Sequence, residues 1–265
     1  SKGKEVIPFV ESVASSGQND ALINGRLALL KEGLQQTDVK EALRAWMDEG
    51  GMDLWKGVEL VHSAVDSSWN VAQSNGLFEA LKKEIWLELH EEQTALEQVR
   101  ILNHVFFSLH NMESVRRLPH VPMEALPSGV LQEKKGNPIG LGILYLAVAQ
   151  SLGIPLRGVN LPNHFILAYC DVAHVDDPLA TKGQSGILFY INPYSHGSVI
   201  GVDDVSEFLV GVGEGDSVHQ WRPSHPMEII QRLIVILRFS IFLYALASSV
   251  IQRFQGQISR PHNVP

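Results

Sequence analysis

The 265 residues include a single cysteine, Cys170, so no disulfide can close within them and a cysteine-rich zinc site is excluded, while the redox compartment stays open. Basic clusters are missing as well. The densest are the pairs Arg116-Arg117 and Lys134-Lys135, and the formal net charge is -8. Nucleic acids and anionic membranes are bound by clustered Lys and Arg that release counterions, so neither is expected as a partner. Long uncharged apolar runs are also lacking. Arg232 and Arg238 interrupt Ile229 to Ile251, and the remaining run from Phe239 to Gln252 falls short of the ~20 residues a spanning helix needs. No membrane span is expected, and this stretch reads as a packed helical segment. A phosphate loop is absent too: Gly211-Val212-Gly213-Glu214-Gly215 has no following Lys-Ser/Thr and carries an acid where an anion would bind. Ser1 to Glu5 lacks the basic-then-apolar layout of a signal peptide, which leads us to expect a cytoplasmic protein, with a removed leader or a tag as the open alternative.

What is present describes a folded chain. Apolar residues make up 45% and charged residues 19%, far from the composition of disorder. The length fits one large domain or a domain with helical additions. Apolar residues at three- and four-residue spacing predict helices over Val39 to Met47, Leu54 to Val65 and Phe78 to Leu89. Asn24-Gly25, Glu49-Gly50-Gly51 and Ser74-Asn75-Gly76 are read as breaks between them, and Asp53 as a helix cap. A further amphipathic helix is expected over Glu97 to Leu109, its apolar face formed by Val99, Leu102, Val105, Phe106 and Leu109. Pro119, Pro122 and Pro127 then predict an extended loop from Leu118 to Gly129.

The most structured passage follows. Asn137 as cap and Pro138 at the first helical position open a helix that is apolar nearly all round, and Leu152-Gly153 with Pro155 ends it. Gly140 and Gly142 each cost about 1 kcal/mol relative to Ala, so a close neighbour, expected to be another backbone, should lie against that first turn. His164 to Cys170 and Gly186 to Asn192 are β-rich and short, joined by a hairpin connection over Asp171 to Ser185. A buried helix feeding antiparallel strands predicts an α+β fold. Helices return after Val202, with apolar segments around Met227 to Leu237 and Ile241 to Phe254.

Gly136-Asn137-Pro138-Ile139, Leu152-Gly153-Ile154-Pro155, Gly158-Val159-Asn160-Leu161-Pro162-Asn163-His164-Phe165 and Ile191-Asn192-Pro193-Tyr194 resemble the transglutaminase-like superfamily, and within it the bacterial SirB-type proteins. The resemblance runs over roughly Leu102 to Gly197. It departs from the subgroup's Leu-Pro-Gly-His-Phe at Asn163, and from its Asp-Pro-Phe at Asn192 and Tyr194. Active members resemble papain-type enzymes: a cysteine at the start of the central helix, a histidine on the next strand, an Asp or Asn on the one after. The helix N-terminus lowers the thiol's pKa, the histidine takes its proton and the third residue fixes the imidazole tautomer. Carried over by position, the resemblance makes His164 the histidine and Asn192 the orienting residue, facing a nucleophile expected within Asn137 to Gly140. That turn holds neither thiol nor hydroxyl. Cys170 is no substitute, because six residues of strand at ~3.3 Å each put it roughly 20 Å from His164; it reads as a small core residue.

These readings imply a vestigial catalytic pair, His164 and Asn192, beside a binding cleft of Asn137, Asn160, Asn163 and Tyr194 that takes a peptide or protein partner. Amide chemistry by water activated at His164, or by a hydroxyl such as Ser128, is the first alternative, and a structural helical scaffold the second. His164, His174 and His196 form no compact ligand motif, and Asp176 and Asp177 read as turn residues, so neither metal nor cofactor is expected. The organisation expected is a helical region over 1–96, the transglutaminase-like core over 97–205, and a helical segment over 206–265. The last resembles one tetratricopeptide-like hairpin, packed on the core because a single unit cannot form a solenoid.

Overall fold

In a computed structural model the protein is described over residues 37–66, 68–115, 122–161, 164–171, 186–202, 204, 207, 210–211 and 223–241. The chain divides into two compact units, Ser1–Ala72 and Gln73–Pro265.

In the first unit, α1 covers residues 37–48 and α2 covers Leu54–Val65. Gly50 and Gly51, with φ of 95° and 61°, make the turn between them, a backbone that L side chains rarely adopt. Asp53 caps α2 as expected, its carboxylate accepting from the Lys56 N–H at 3.0 Å. His62 is buried on α2 and stacked on Trp69 with ring centroids 3.6 Å apart.

Helix α3 runs over Val71–Glu88, straight through Ser74-Asn75-Gly76, where the sequence predicts a break. Ser74 is buried and a Cβ at Gly76 would meet open space, so a glycine cost of about 1 kcal/mol is offset by burial of Phe78, Leu81 and Ile85. A reciprocal Thr94/Glu97 capping box opens α4, Ala95–Asn103. The helix then widens into a π-helical turn over His104–Leu109, closed by the His110 N–H donating to the Val105 carbonyl at 2.9 Å. The wider turn shifts the phase of the apolar stripe: Val105 and Phe106 stay buried, while Leu109, expected on that face, is 52% exposed.

The proline segment is also corrected. Its described part folds into two short helices, α5 (Pro122–Ala125) and α6 (Pro127–Glu133), each with proline at its first position, where the missing N–H has no helical partner to lose. Strand β1 (Glu113–Ser114) pairs in parallel with β2 (Lys135–Gly136). Helix α7, Pro138–Ser151, begins and ends as predicted, with Gly153 at φ 74°, and its side chains from Ile139 to Ala149 are buried.

Four antiparallel strands follow in sheet order β3 (Leu156–Asn160), β4 (Phe165–Cys170), β5 (Ile187–Asn192) and β6 (Ser198–Ile200). β4 and β5 are the strands the sequence predicts, while β3 and β6 are additional; residues 172–185, read as a hairpin connection, lie outside the described residues. Alternation gives the sheet two apolar faces. On one, Gly158 and Phe165 meet Leu146 of α7 and Ile229 of the last helix, α8, residues 226–241. On the other, Val159, Leu161, Ile166, Ala168, Cys170 and Tyr190 form a second cluster. Ile229, Ile230, Leu233 and Leu237 of α8 are buried, as its apolar spacing predicts. The segment around Ile241 to Phe254, the second arm of the expected hairpin, lies beyond residue 241, as Asn24-Gly25 lies before residue 37. No described helix is long and apolar enough to cross a membrane.

Candidate functional site

The turn that opens α7 is sealed from within. The buried Asn137 side chain caps its own helix, its Oδ1 accepting from the Gly140 N–H at 2.9 Å, and its backbone N–H donates to the Glu124 carbonyl at 2.8 Å. A Cβ at Gly140 would run into that same Glu124 carbonyl and come within 3.0 Å of Val130, so the close backbone expected at this glycine is the end of α5. At Gly142 the neighbour is instead a side chain, the ring of Phe165. The first turn of α7 therefore has neither a reactive group nor room for one at residue 140.

His164 lies immediately before β4, its carbonyl accepting from the Leu161 N–H at 3.0 Å. The β4/β5 register pairs Ala168 with Tyr190 and Leu167 with Ile191, which continues to set Asn192 opposite Ile166. His164, just before β4, therefore lies towards the end of β5 that carries Asn192. Asn192 alternates onto the face of the Tyr190 cluster, and α7 packs against the turn Pro193–Ser195 that follows it. The Asn192 amide donates to Ser195 Oγ at 3.2 Å. Next along that face, the Tyr190 hydroxyl is buried with no hydrogen-bond partner among the described residues, and burial pushes its pKa up to about 12.

The remaining cleft residues have separate duties. Asn160 Oδ1 accepts from Arg232 of α8 at 3.3 Å. The Tyr194 hydroxyl donates to the Val115 carbonyl at 2.9 Å, and its own carbonyl accepts from Ser114 Oγ, tying the turn after β5 to the strand end at β1. Asn163, His174, Asp176, Asp177 and Val212 to Gly215 lie outside the described residues. His196 sits edge-on to Phe107, ring centroids 5.3 Å apart. Ser128, the candidate hydroxyl, is buried at 1% exposure in α6 rather than carried on an extended loop. Cys170 is buried in the Tyr190 cluster and burial raises its thiol pKa, which suits a core residue. No group of three His, Cys, Asp or Glu among the described residues could hold a metal ion.

One organising residue was not visible in the sequence. Asn103 accepts from the Tyr145 hydroxyl at 2.9 Å and donates to the Gly197 carbonyl at 2.9 Å, so it links the middle of α7 to the turn that follows Asn192. Tyr145 is wholly buried, which holds its pKa well above the ordinary value and keeps it a neutral donor. No motif flags an asparagine in a helix as such a bridge.

A buried helix packed on a four-stranded antiparallel sheet makes this an α+β domain. The profile of the transglutaminase-like superfamily matches residues 73–235, and the chain belongs to that superfamily. Among similar proteins are F-box only protein 21 of Mus musculus, 28% identical over 51% of this chain and 20% of the mouse protein, and a UPF0162 protein of Vibrio cholerae, 26% identical over 62% of this chain and 56% of its own. A UPF0162 protein of Pseudomonas aeruginosa is 40% identical over 23% of this chain and 22% of its length. The chain thus spans about a fifth of the F-box relative and just over half of the Vibrio one. No solved structure gives a significant match.

Proposed function

We propose that this is a non-catalytic, SirB-type member of the superfamily that binds a peptide or protein partner at a degenerate active-site cleft. Its core is taken as residues 97–205, with 1–96 and 206–265 as helical additions, and a cytoplasmic setting suits the composition. The observation that carries the reading is a sealed helix start that holds no nucleophile. His164 and Asn192 remain at the ends of neighbouring strands, while the helix start that should supply a nucleophile is taken up by its own cap and blocked by Glu124. An imidazole and an amide on neighbouring strands suit recognition of an extended backbone and include no group to attack it. Finding the matched region within an F-box relative of which it covers 20% supports a role as a module among other parts.

The test is a peptide array probed with the full chain and with His164→Ala and Asn192→Ala variants, each checked for an unchanged melting temperature. The reading expects a set of peptides retained by the parent chain and lost by both variants. Peptides bound equally by all three would contradict it.

A further inference from the structure

Away from the expected site, three titratable side chains from three separate stretches meet in a line. The Glu84 carboxylate of α3 lies 2.6 Å from Nε2 of His110, in the turn after the π-helical segment, and Nδ1 of the same ring lies 3.3 Å from Lys134 Nζ, at the end of α6. Hydrogen-bond logic fixes the tautomer. Ionised Glu84 only accepts, so Nε2 carries the proton and Nδ1 is left as a lone-pair base aimed at the amine. The arrangement is a carboxylate holding an imidazole that faces a nucleophile, the order of parts that activates nucleophiles in general.

The backbone supports it. Lys134 has φ 59° and Asn111, beside His110, has φ 49°, two non-glycine residues in the left-handed region. Such conformations are strained for L side chains and persist where neighbouring structure holds them. Here the parallel β1/β2 pair does so, the Glu113 N–H donating to the Lys134 carbonyl at 2.8 Å. Lys134 is half-buried, unlike Lys135, whose side chain is 59% exposed and 3.9 Å from Glu113. Burial lowers the Lys134 pKa, opposed by the Glu84 charge, and a lower pKa leaves more of the amine neutral at neutral pH.

We propose that Lys134 is an amine nucleophile, served by His110 and Glu84, that accepts an acyl group from a donor carrying a good leaving group, a thioester or an acyl phosphate. The ammonium first releases one proton to solvent. Neutral Nζ attacks the acyl carbonyl carbon, the C–N bond forms, and the C–S or C–O bond breaks, its electron pair leaving with the thiolate or phosphate. The second amine proton passes to His110 Nδ1, and the imidazolium is held by Glu84 until it returns the proton to the leaving group or to solvent. The product is the Nε-acyl-lysine amide. The facing charged groups are Glu84 from α3, His110 from the turn, and Lys135 with Glu113 on the adjoining strands.

The experiment uses the full chain at neutral pH with limiting S-acetyl-N-acetylcysteamine in one arm and acetyl phosphate in the other, followed by digestion and mass spectrometry of each lysine. In at least one arm Lys134 should acetylate about tenfold or more faster than Lys135, the size a positioned base and a lowered amine pKa give together. The reactive arm identifies the donor. His110→Gln and Glu84→Gln should each bring Lys134 down towards Lys135. Lys134 reacting no faster than Lys135 in both arms of the unsubstituted chain would overturn the proposal, with no dependence on whether a variant folds.

Discussion

The start of α7 and the Glu84–His110–Lys134 line are opposite uses of the same physical means. At Asn137 to Gly140 a helix N-terminus offers unpaired N–H groups, the usual place to steady an anion or a thiolate. The chain uses it for stability: Asn137 caps the helix, and the Glu124 carbonyl fills the space where a Gly140 side chain would stand. At Lys134 the chain does the reverse. It accepts a left-handed backbone and a half-buried amine and leaves base and nucleophile in contact near solvent. A helix terminus, then, is a structural element until a reactive group occupies it, and reactive geometry can gather where no motif announces it.

The largest effect that probes this contrast is expected from Gly140→Cys. Restoring a thiol to the expected position sets its Cβ against a backbone carbonyl that cannot swing aside, and overpacking of this kind costs about 1–3 kcal/mol. The prediction is a lower midpoint in urea unfolding and no new hydrolysis of amides or esters. Asn137→Ala comes next, since losing an N-cap costs about 1 kcal/mol, more where the freed N–H groups stay buried. Asn137→Asp should recover most of the loss in the same unfolding assay.

A third prediction sets a sealed histidine beside the half-open His110. Burial lowers the His62 pKa to about 4 from the ordinary 6.5, against a smaller raising effect of Asp66. Between those values the unfolded chain binds a proton that the folded form refuses. The stability His62 contributes is therefore present above about pH 6.5 and is lost as pH falls towards 4. Urea unfolding of the full chain followed across about pH 4 to 7 should show that acid dependence, and His62→Gln should flatten it. The smallest change is expected from Glu84→Gln, whose partly exposed contact with the His110 ring contributes within about 0.5 kcal/mol. Its unfolding midpoint should hardly move while Lys134 acylation slows, which separates a positioning role from a structural one.

Much of the fold was legible because local chemistry and burial agreed. Asn137-Pro138 and Gly153 delimit α7, and the β-rich runs at Phe165 and Ile187 became β4 and β5. What was missed had conflicting local signals. β3 hides behind Arg157, Gly158 and Asn160, β6 is only three residues long, and Ser74-Asn75-Gly76 reads as a turn until tertiary burial overrides it. The prolines at 122 and 127 read as breakers, though at first helical positions they begin helices. At the site, the sequence put His164 and Asn192 on neighbouring predicted strands, but it gave no sign that the Glu124 carbonyl would close over the start of α7. Glu84, His110 and Lys134 lie 26 and 24 residues apart, a spacing without periodicity, so only the folded chain brings them together.

The central claim is that the superfamily site here is chemically silent, and turnover tests it most directly. The full chain and His164→Ala are incubated with a broad panel of peptide, amide and ester substrates, and product is followed by mass spectrometry. The account predicts the same background for both proteins across the panel. Turnover by the unsubstituted chain that vanishes in His164→Ala would contradict it.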